Sequence, residues 1–113
     1  MGAVVHAINF TFGTEDLREQ LRPLVELLIT HRGPAILAGD FNTWSDARQK
    51  LVDQVLLQHG LSPLSFEPDL RTTAFGRALD HIYVRGLTAE HTEVVPVTSS
   101  DHNALRARLK LNL

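Results

Sequence analysis

The stretch Ala35-Ile36-Leu37-Ala38-Gly39-Asp40-Phe41-Asn42 constrains this chain more than any other. It begins as a short apolar run suited to a buried strand. It ends in Gly-Asp-Phe-Asn, which no strand interior holds comfortably. The glycine lets the backbone turn or approach another segment closely. Asp40 and Asn42 are two apart, so in extended geometry their side chains point the same way. One is an acceptor-only carboxylate; the other is an amide that donates and accepts. At the carboxyl end of a strand such a pair can activate a water and hold a substrate oxygen. The same two residues would also serve an Asx-type turn, spent on their own backbone.

A chain of 113 residues is long enough for one domain with one hydrophobic core. The formal net charge is −2, so no global basic field announces a nucleic-acid partner, although a local basic groove stays open. Cysteine is absent, so there is no disulfide framework and any metal must be held by oxygen or imidazole. No apolar run is long enough to span a bilayer, and no basic-then-apolar leader is present. The sequence is strand-like from Ala3 onward, directly behind Met1-Gly2. We read this as a start inside a longer protein.

Val4 to Phe10 is apolar and β-branched with polar breaks at His6 and Asn9, and reads as a strand ended by Thr11-Phe12-Gly13. Thr14 is an expected helix N-cap, with Glu15 and Asp16 in the first turn, where the helix dipole favours acids. Leu17, Leu21, Leu24, Val25 and Leu28 recur at helical spacing. Pro23 should kink or split this helix. His31, Arg32 and Gly33 should close it, and Pro34 bars continuation. Ser45 and Asp46 should cap a second helix with Leu51, Val52, Val55 and Leu56 on one side and His59-Gly60 at its end. Leu61 to Thr73 has no period and reads as loop with one short strand. Leu79 to Val84 and Glu90 to Val97 read as strands, with Arg85-Gly86 as a turn between them. Leu105, Ala107, Leu109 and Leu111 alternate with Arg106, Arg108 and Lys110, the clearest strand pattern in the chain, with one face buried and one wet and basic. The order predicts a mixed α/β or α+β domain: a strand–helix–strand unit, then antiparallel strands.

Three further polar clusters lie at or near strand ends. His6 sits among Val4, Val5, Ala7 and Ile8, where a histidine is ordinarily a structural residue bonded to backbone. Asp80, in Leu79-Asp80-His81-Ile82-Tyr83, begins an apolar strand and needs a definite partner to offset desolvation. Ser100-Asp101-His102-Asn103 is either a capped turn or a carboxylate beside a titratable imidazole. Open α/β sheets build their sites at strand ends.

Gly39-Asp40-Phe41-Asn42, Leu79-Asp80-His81-Ile82-Tyr83 and Ser100-Asp101-His102 resemble, in order, the last three signatures of the endonuclease/exonuclease/phosphatase superfamily. Val5-His6-Ala7-Ile8-Asn9-Phe10 resembles the preceding one, a strand with a site histidine. The superfamily comprises metal-dependent phosphoesterases that act on nucleic acids, lipid headgroups and inositol phosphates. The run from Phe75-Gly76-Arg77 through Asp80 also resembles an uncharacterised bacterial subgroup often found behind membrane segments.

The resemblance implies roles residue by residue. Asp40 would orient or deprotonate the attacking water, and Asn42 would hold Asp40 and a phosphate oxygen. Asp101 would face the divalent metal, Mg²⁺ or Mn²⁺. His102 would stabilise the phosphoryl oxygens, and Asp80 would orient His102. His6 would contact the phosphate or assist the leaving oxygen, with Arg77 as a further substrate contact. Phosphodiester hydrolysis needs those parts: a positioned water, a hard cation, and donors aimed at the phosphoryl oxygens.

The family fold is similar to a two-sheet α/β sandwich of two halves, and the principal metal-binding glutamate belongs to the first. None of Glu15, Glu19, Glu26, Glu67, Glu90 or Glu93 matches it. The resemblance therefore implies that residues 1–113 form the C-terminal half of the catalytic domain, with two helices on one face of a mixed sheet. Alone, the chain is expected to be inactive and to bind Mg²⁺ weakly. A non-catalytic module that keeps the fold and binds a partner or ligand is the second function class. The bare inner face of the sheet, lined by Ile82 to Val84 and Leu105 to Leu111, is expected to pair two copies of the chain as a homodimer.

Overall fold

Apolar residues at two periods build two cores on opposite sides of one sheet. A computed structural model of the chain describes residues 4–11 and 16–112. Strands β1 (Val4–Asn9), β2 (Ala35–Asp40), β3 (Ser62–Pro63) and β6 (Asp80–Arg85) form the sheet in the order β1-β2-β6-β3. β1 and β2 are parallel; β6 runs antiparallel to β2 and β3. Helices α1 (Leu17–Thr30) and α2 (Asp46–Gln58) share one face of the sheet, as expected. β4 (Thr73–Ala74) and β5 (Arg77–Ala78) make a small hairpin, and β7 (Leu87–Val95) and β8 (Ala104–Leu111) a long one.

The helix-side core joins Leu17, Leu21, Leu24 and Leu28 of α1 to Val52 and Leu56 of α2 and to Ala35, Leu37 and Tyr83 of the sheet. Each such leucine, fully buried, stabilises the fold by about 1.5–3 kcal/mol. α1 starts at the N-cap Asp16, whose carboxylate accepts from the Arg18 N–H at 2.9 Å. The Thr14 cap and the Glu15 placement lie outside the described residues. Pro23 neither kinks α1 into two nor ends it; the helix runs through. The hydrogen bond that Pro23 forgoes belongs to the carbonyl of Glu19, an exposed residue that water can serve. Gly33 does not supply a left-handed cap. The C-cap is His31, whose N–H donates to Leu27 O at 2.8 Å and whose ring Nε2 bonds Pro34 O at 3.0 Å. α2 follows the sequence closely: Ser45 caps it, and the N–H groups of Gly60 and Leu61 return to the carbonyls of Leu57 and Leu56.

The other face carries a second cluster of Phe66, Ile82, Val84 and Val94, with Ile36, Ala38, Leu105, Ala107 and Leu109 half-buried against it. The face expected to lie bare is thus partly covered from within, by the β7–β8 hairpin and by Phe66 of the loop after β3. β7 begins at Leu87, three residues before the expected Glu90, because the Gly86 turn is tight enough for pairing to resume at once, and it ends at Val95, short of the expected Val97.

Gly39 has φ +138°, and a Cβ built there would run into the backbone carbonyl of Ile8 on β1. Backbone cannot yield as a side chain can. We expect Gly39→Ala to destabilise the chain by more than about 2 kcal/mol, read as a lower urea midpoint at unchanged slope, because it combines positive-φ strain with overpacking.

Candidate functional site

The register of the sheet decides which side chains meet. Asp40 lies opposite Asp80 on one side and Asn9 on the other. Side chains alternate along strands, so all three share the face away from the helices. They line a cleft of about 520 Å³ together with His102 and Asn103 from the turn before β8, over a floor that includes Ala38, Ile82 and Leu105.

Asp80 is buried, and its partner is His102: the ring Nδ1–H donates to Asp80 Oδ2 at 2.6 Å. This bond leaves Nε2 to face Asp40 Oδ2, 3.9 Å away. That gap is too long for a direct hydrogen bond and leaves room for a third oxygen to bond both. One ligand atom each from Asp40, Asp80 and His102 lie within 4.8 Å of one another. Burial pushes the Asp80 carboxyl up. The hydrogen bond to Asp80 pushes the His102 imidazole up, against a smaller opposing effect of burial.

Asn42 is buried in a left-handed conformation with φ 50°, which asparagine tolerates better than most residues. Its backbone N–H donates to Asp40 Oδ1 at 2.8 Å, and its side-chain amide donates to Phe10 O. Asn42 therefore holds Asp40 through the backbone, while its amide ties the turn to β1. His6 pairs in register with Leu37 and shares the helix-side face with Ile8, where it is exposed; it does not line the cleft. Asp101 is exposed and outside the Asp40–Asp80–His102 cluster. Arg77 is exposed on β5 and pairs with Asp46 at 3.4 Å. Asn9 and Asn103 line the cleft though neither was singled out for a role. Strand parity could have found Asn9: its neighbours Ile8 and Phe10 are the buried pair, so Asn9 must face the other way.

Behind the cleft runs a buried polar chain. Arg71 Nη1 donates to Asp80 O at 3.1 Å and to His81 Nδ1 at 3.0 Å. A guanidinium only donates, so Nδ1 accepts and His81 carries its proton on Nε2. Nε2 then donates to Thr43 Oγ1 at 2.6 Å, and the hydroxyl donates to Ala78 O at 2.8 Å. Asp69 holds the rest of the guanidinium, at 2.7 and 2.8 Å. Asn103 N–H donates to Thr72 Oγ1 at 2.9 Å and its amide to Leu70 O at 2.8 Å. The segment from Asp69 to Thr72 thus straps together β6, the Gly-Asp-Phe-Asn turn and the turn that carries His102.

The fold and the cleft define an α/β domain with a carboxylate–imidazole cluster at its strand ends. The model of the endonuclease/exonuclease/phosphatase family matches residues 4–102, and the chain belongs to that family. It is 45% identical over 108 residues to a UPF0294 protein of Vibrio cholerae, covering 95% of this chain and 38% of that protein. A UPF0294 protein of Yersinia enterocolitica is 43% identical over 101 residues, covering 89% of this chain and 39% of that one. The chain therefore spans about two fifths of the length of these relatives. A crystal structure of an endonuclease/exonuclease/phosphatase protein from Bacteroides vulgatus superposes with a TM-score of 0.56 at 21% identity, over 85% of this chain and 44% of that one. That likeness concerns the fold.

Burial drives the His81 pKa down to about 4. An unfolded histidine takes its proton at about pH 6.5. Between these values the unfolded chain binds more protons, so stability falls as pH drops from about 6.5 towards 4, by up to about 3 kcal/mol. We expect urea unfolding to show this loss, and His81→Gln to remove most of it. An equal pH dependence in both proteins would mean that His81 titrates normally in the fold.

Proposed function

We propose that this chain is the C-terminal half of a metal-dependent phosphoesterase domain and supplies the groups that position water and phosphate. The observation that carries the reading is the arrangement Asp80–His102–Asp40, one hydrogen bond followed by one open gap of 3.9 Å. In this reading a phosphoryl oxygen sits at the gap and accepts from His102 Nε2. Asp80 orients the ring by accepting from Nδ1–H and favours the imidazolium, which keeps Nε2–H to donate. Asp40 takes the proton of the attacking water, with its other oxygen steadied by the Asn42 N–H.

The donor set of carboxylates and imidazole, without thiolate, fits Mg²⁺ or Mn²⁺. Asp80 would hold such an ion through its remaining oxygen, with Asp101 reaching it directly or through water as the family resemblance implies. Bound there, the ion would neutralise charge that develops on the phosphoryl oxygens. Arg77 belongs to the substrate path in this reading, outside the cleft itself, whereas His6 lies on the opposite face of the sheet. The half-buried strip of Ile36, Leu105, Ala107 and Leu109 is where the first half of the domain would pack. In the isolated chain a second copy competes for that strip, and sedimentation distinguishes a monomer from a two-fold pair.

A non-catalytic module with the same fold remains the alternative class, and one substitution separates the two. In the full-length protein Asp40→Asn keeps size and shape but removes the charge that deprotonates water. Mg²⁺- or Mn²⁺-dependent hydrolysis of a chromogenic phosphodiester should fall on the order of 10²–10⁴-fold with an unchanged melting temperature. Undiminished hydrolysis would take Asp40 out of the mechanism.

A further inference from the structure

The β4–β5 hairpin is closed by Phe75 and Gly76, both at positive φ, 54° and 78°. Two-residue turns of this kind favour asparagine, aspartate or glycine in the first position, because a bulky side chain there is strained. Here that position holds a phenylalanine with 77% of its surface exposed. Nothing in the turn's closure requires a ring. Strain combined with apolar exposure points to use.

The ring belongs to a ledge. Trp44 lies 5.7 Å from it, centroid to centroid, with the planes at 58°. The Arg48 guanidinium stands 5.4 Å from the Trp44 ring centre. It is fixed there by donating to Asn42 O at 2.7 Å and Thr11 O at 3.2 Å. Arg77 follows the turn and meets Asp46 at 3.4 Å, and Lys50 meets the same carboxylate at 2.9 Å. Two cations therefore share one acid while Arg48 stands on the Trp44 ring, a local positive excess on a chain whose formal net charge is −2. The ledge is tied to the turn that holds Asp40, since Trp44 stands two residues beyond Asn42, Arg48 bonds the Asn42 carbonyl, and the Asn42 N–H bonds Asp40.

We propose that this ledge binds single-stranded nucleic acid, with an unpaired base stacked on Phe75 and Trp44 and its flanking phosphates drawn by Arg48 and Arg77. Every base presents a π-face, so such stacking tolerates any sequence, and a paired base inside a duplex does not offer that face. A lipid surface fits less well. A membrane wedge needs several apolar side chains projecting together, whereas this tip carries one, flanked by Gly76 and the exposed Thr73 and Arg77. The proposal rests on the phosphoesterase reading only for what happens to the phosphate at Asp40 and His102.

Trp44 is the one tryptophan in the chain and reports directly on the ledge. A thymidine oligonucleotide titrated into the protein without divalent metal should quench its fluorescence saturably. An oligonucleotide of the same length with abasic sugars keeps the phosphates and should bind about tenfold more weakly, as should Phe75→Ala with the base-bearing strand. Phe75→Asn suits the positive φ; it should raise the melting temperature while losing the same affinity, which separates binding from folding. Equal binding of the two oligonucleotides, or undiminished binding by both variants, overturns the proposal. So does quenching by anionic phospholipid vesicles without quenching by the oligonucleotide. Hydrolysis is not read here, so base stacking can fail while Asp40→Asn still abolishes activity, and the reverse.

Discussion

The cleft depends on the register in which β2 pairs with its neighbours. Asp40 opposite Asp80 puts two carboxylates side by side on one face of a sheet, which like charges resist. The arrangement persists because each carboxylate has a donor: the His102 ring for Asp80 and the Asn42 N–H for Asp40. A slip of one residue would turn Asp40 into the helix-side core. The apolar residues of β2 forbid that slip. Ala35 and Leu37 are fully buried under the helices, while Ile36 and Ala38 serve the opposite cluster. The strand is apolar on both faces, so its register is fixed from both sides.

Register alone would not hold the turns that carry Asn42 and His102. The buried chain through Arg71, His81 and Thr43 does so at the cost of taking a guanidinium and an imidazole out of water. Each member finds its partner, and the only consistent direction of donation runs from Arg71 to the Ala78 carbonyl. Removing one member would strand the others unsatisfied, which makes such networks rigid. The loop between β3 and β4 is therefore a structural strap, despite its lack of any sequence period.

Much of the site was legible because its residues are local to strand ends. The apolar run before Gly39 announced β2, and a carboxylate opening an apolar strand had to have a partner, which is His102. Ser45 and Gly60 marked both ends of α2. What the sequence hid was nonlocal or a matter of parity. His6 stands out by type, yet the alternation along β1 turns it to the helix side and presents Asn9 instead. Asp101 and His102 are neighbours, but only His102 reaches back to β6. Arg71 gives no signal at all, since its role exists only once β6 and the β3–β4 loop are side by side. The β7–β8 hairpin was expected as strands, but its closing of the inner face depends on how sharply Gly86 turns the chain.

The apolar floor under the polar end of the cleft bears on its charge state. Ala38, Ile82 and Leu105 keep water from one side of Asp80, and that burial raises the carboxyl. The same carboxylate raises His102. Both shifts favour a proton held between the two groups, on Nδ1 in the 2.6 Å bond. The sign follows from the linkage. A histidine whose folded pKa is raised stabilises the fold below its unfolded value of about 6.5 and loses that contribution as pH rises through the folded value. For the proposed chemistry this sign is the useful one. An imidazolium keeps Nδ1–H for Asp80 and still has Nε2–H to give across the gap, whereas a neutral ring bound to Asp80 through Nδ1–H has only a lone pair on Nε2. Hence the bond to Asp80, working against the burial that the floor imposes, favours the ring form that the proposed chemistry needs.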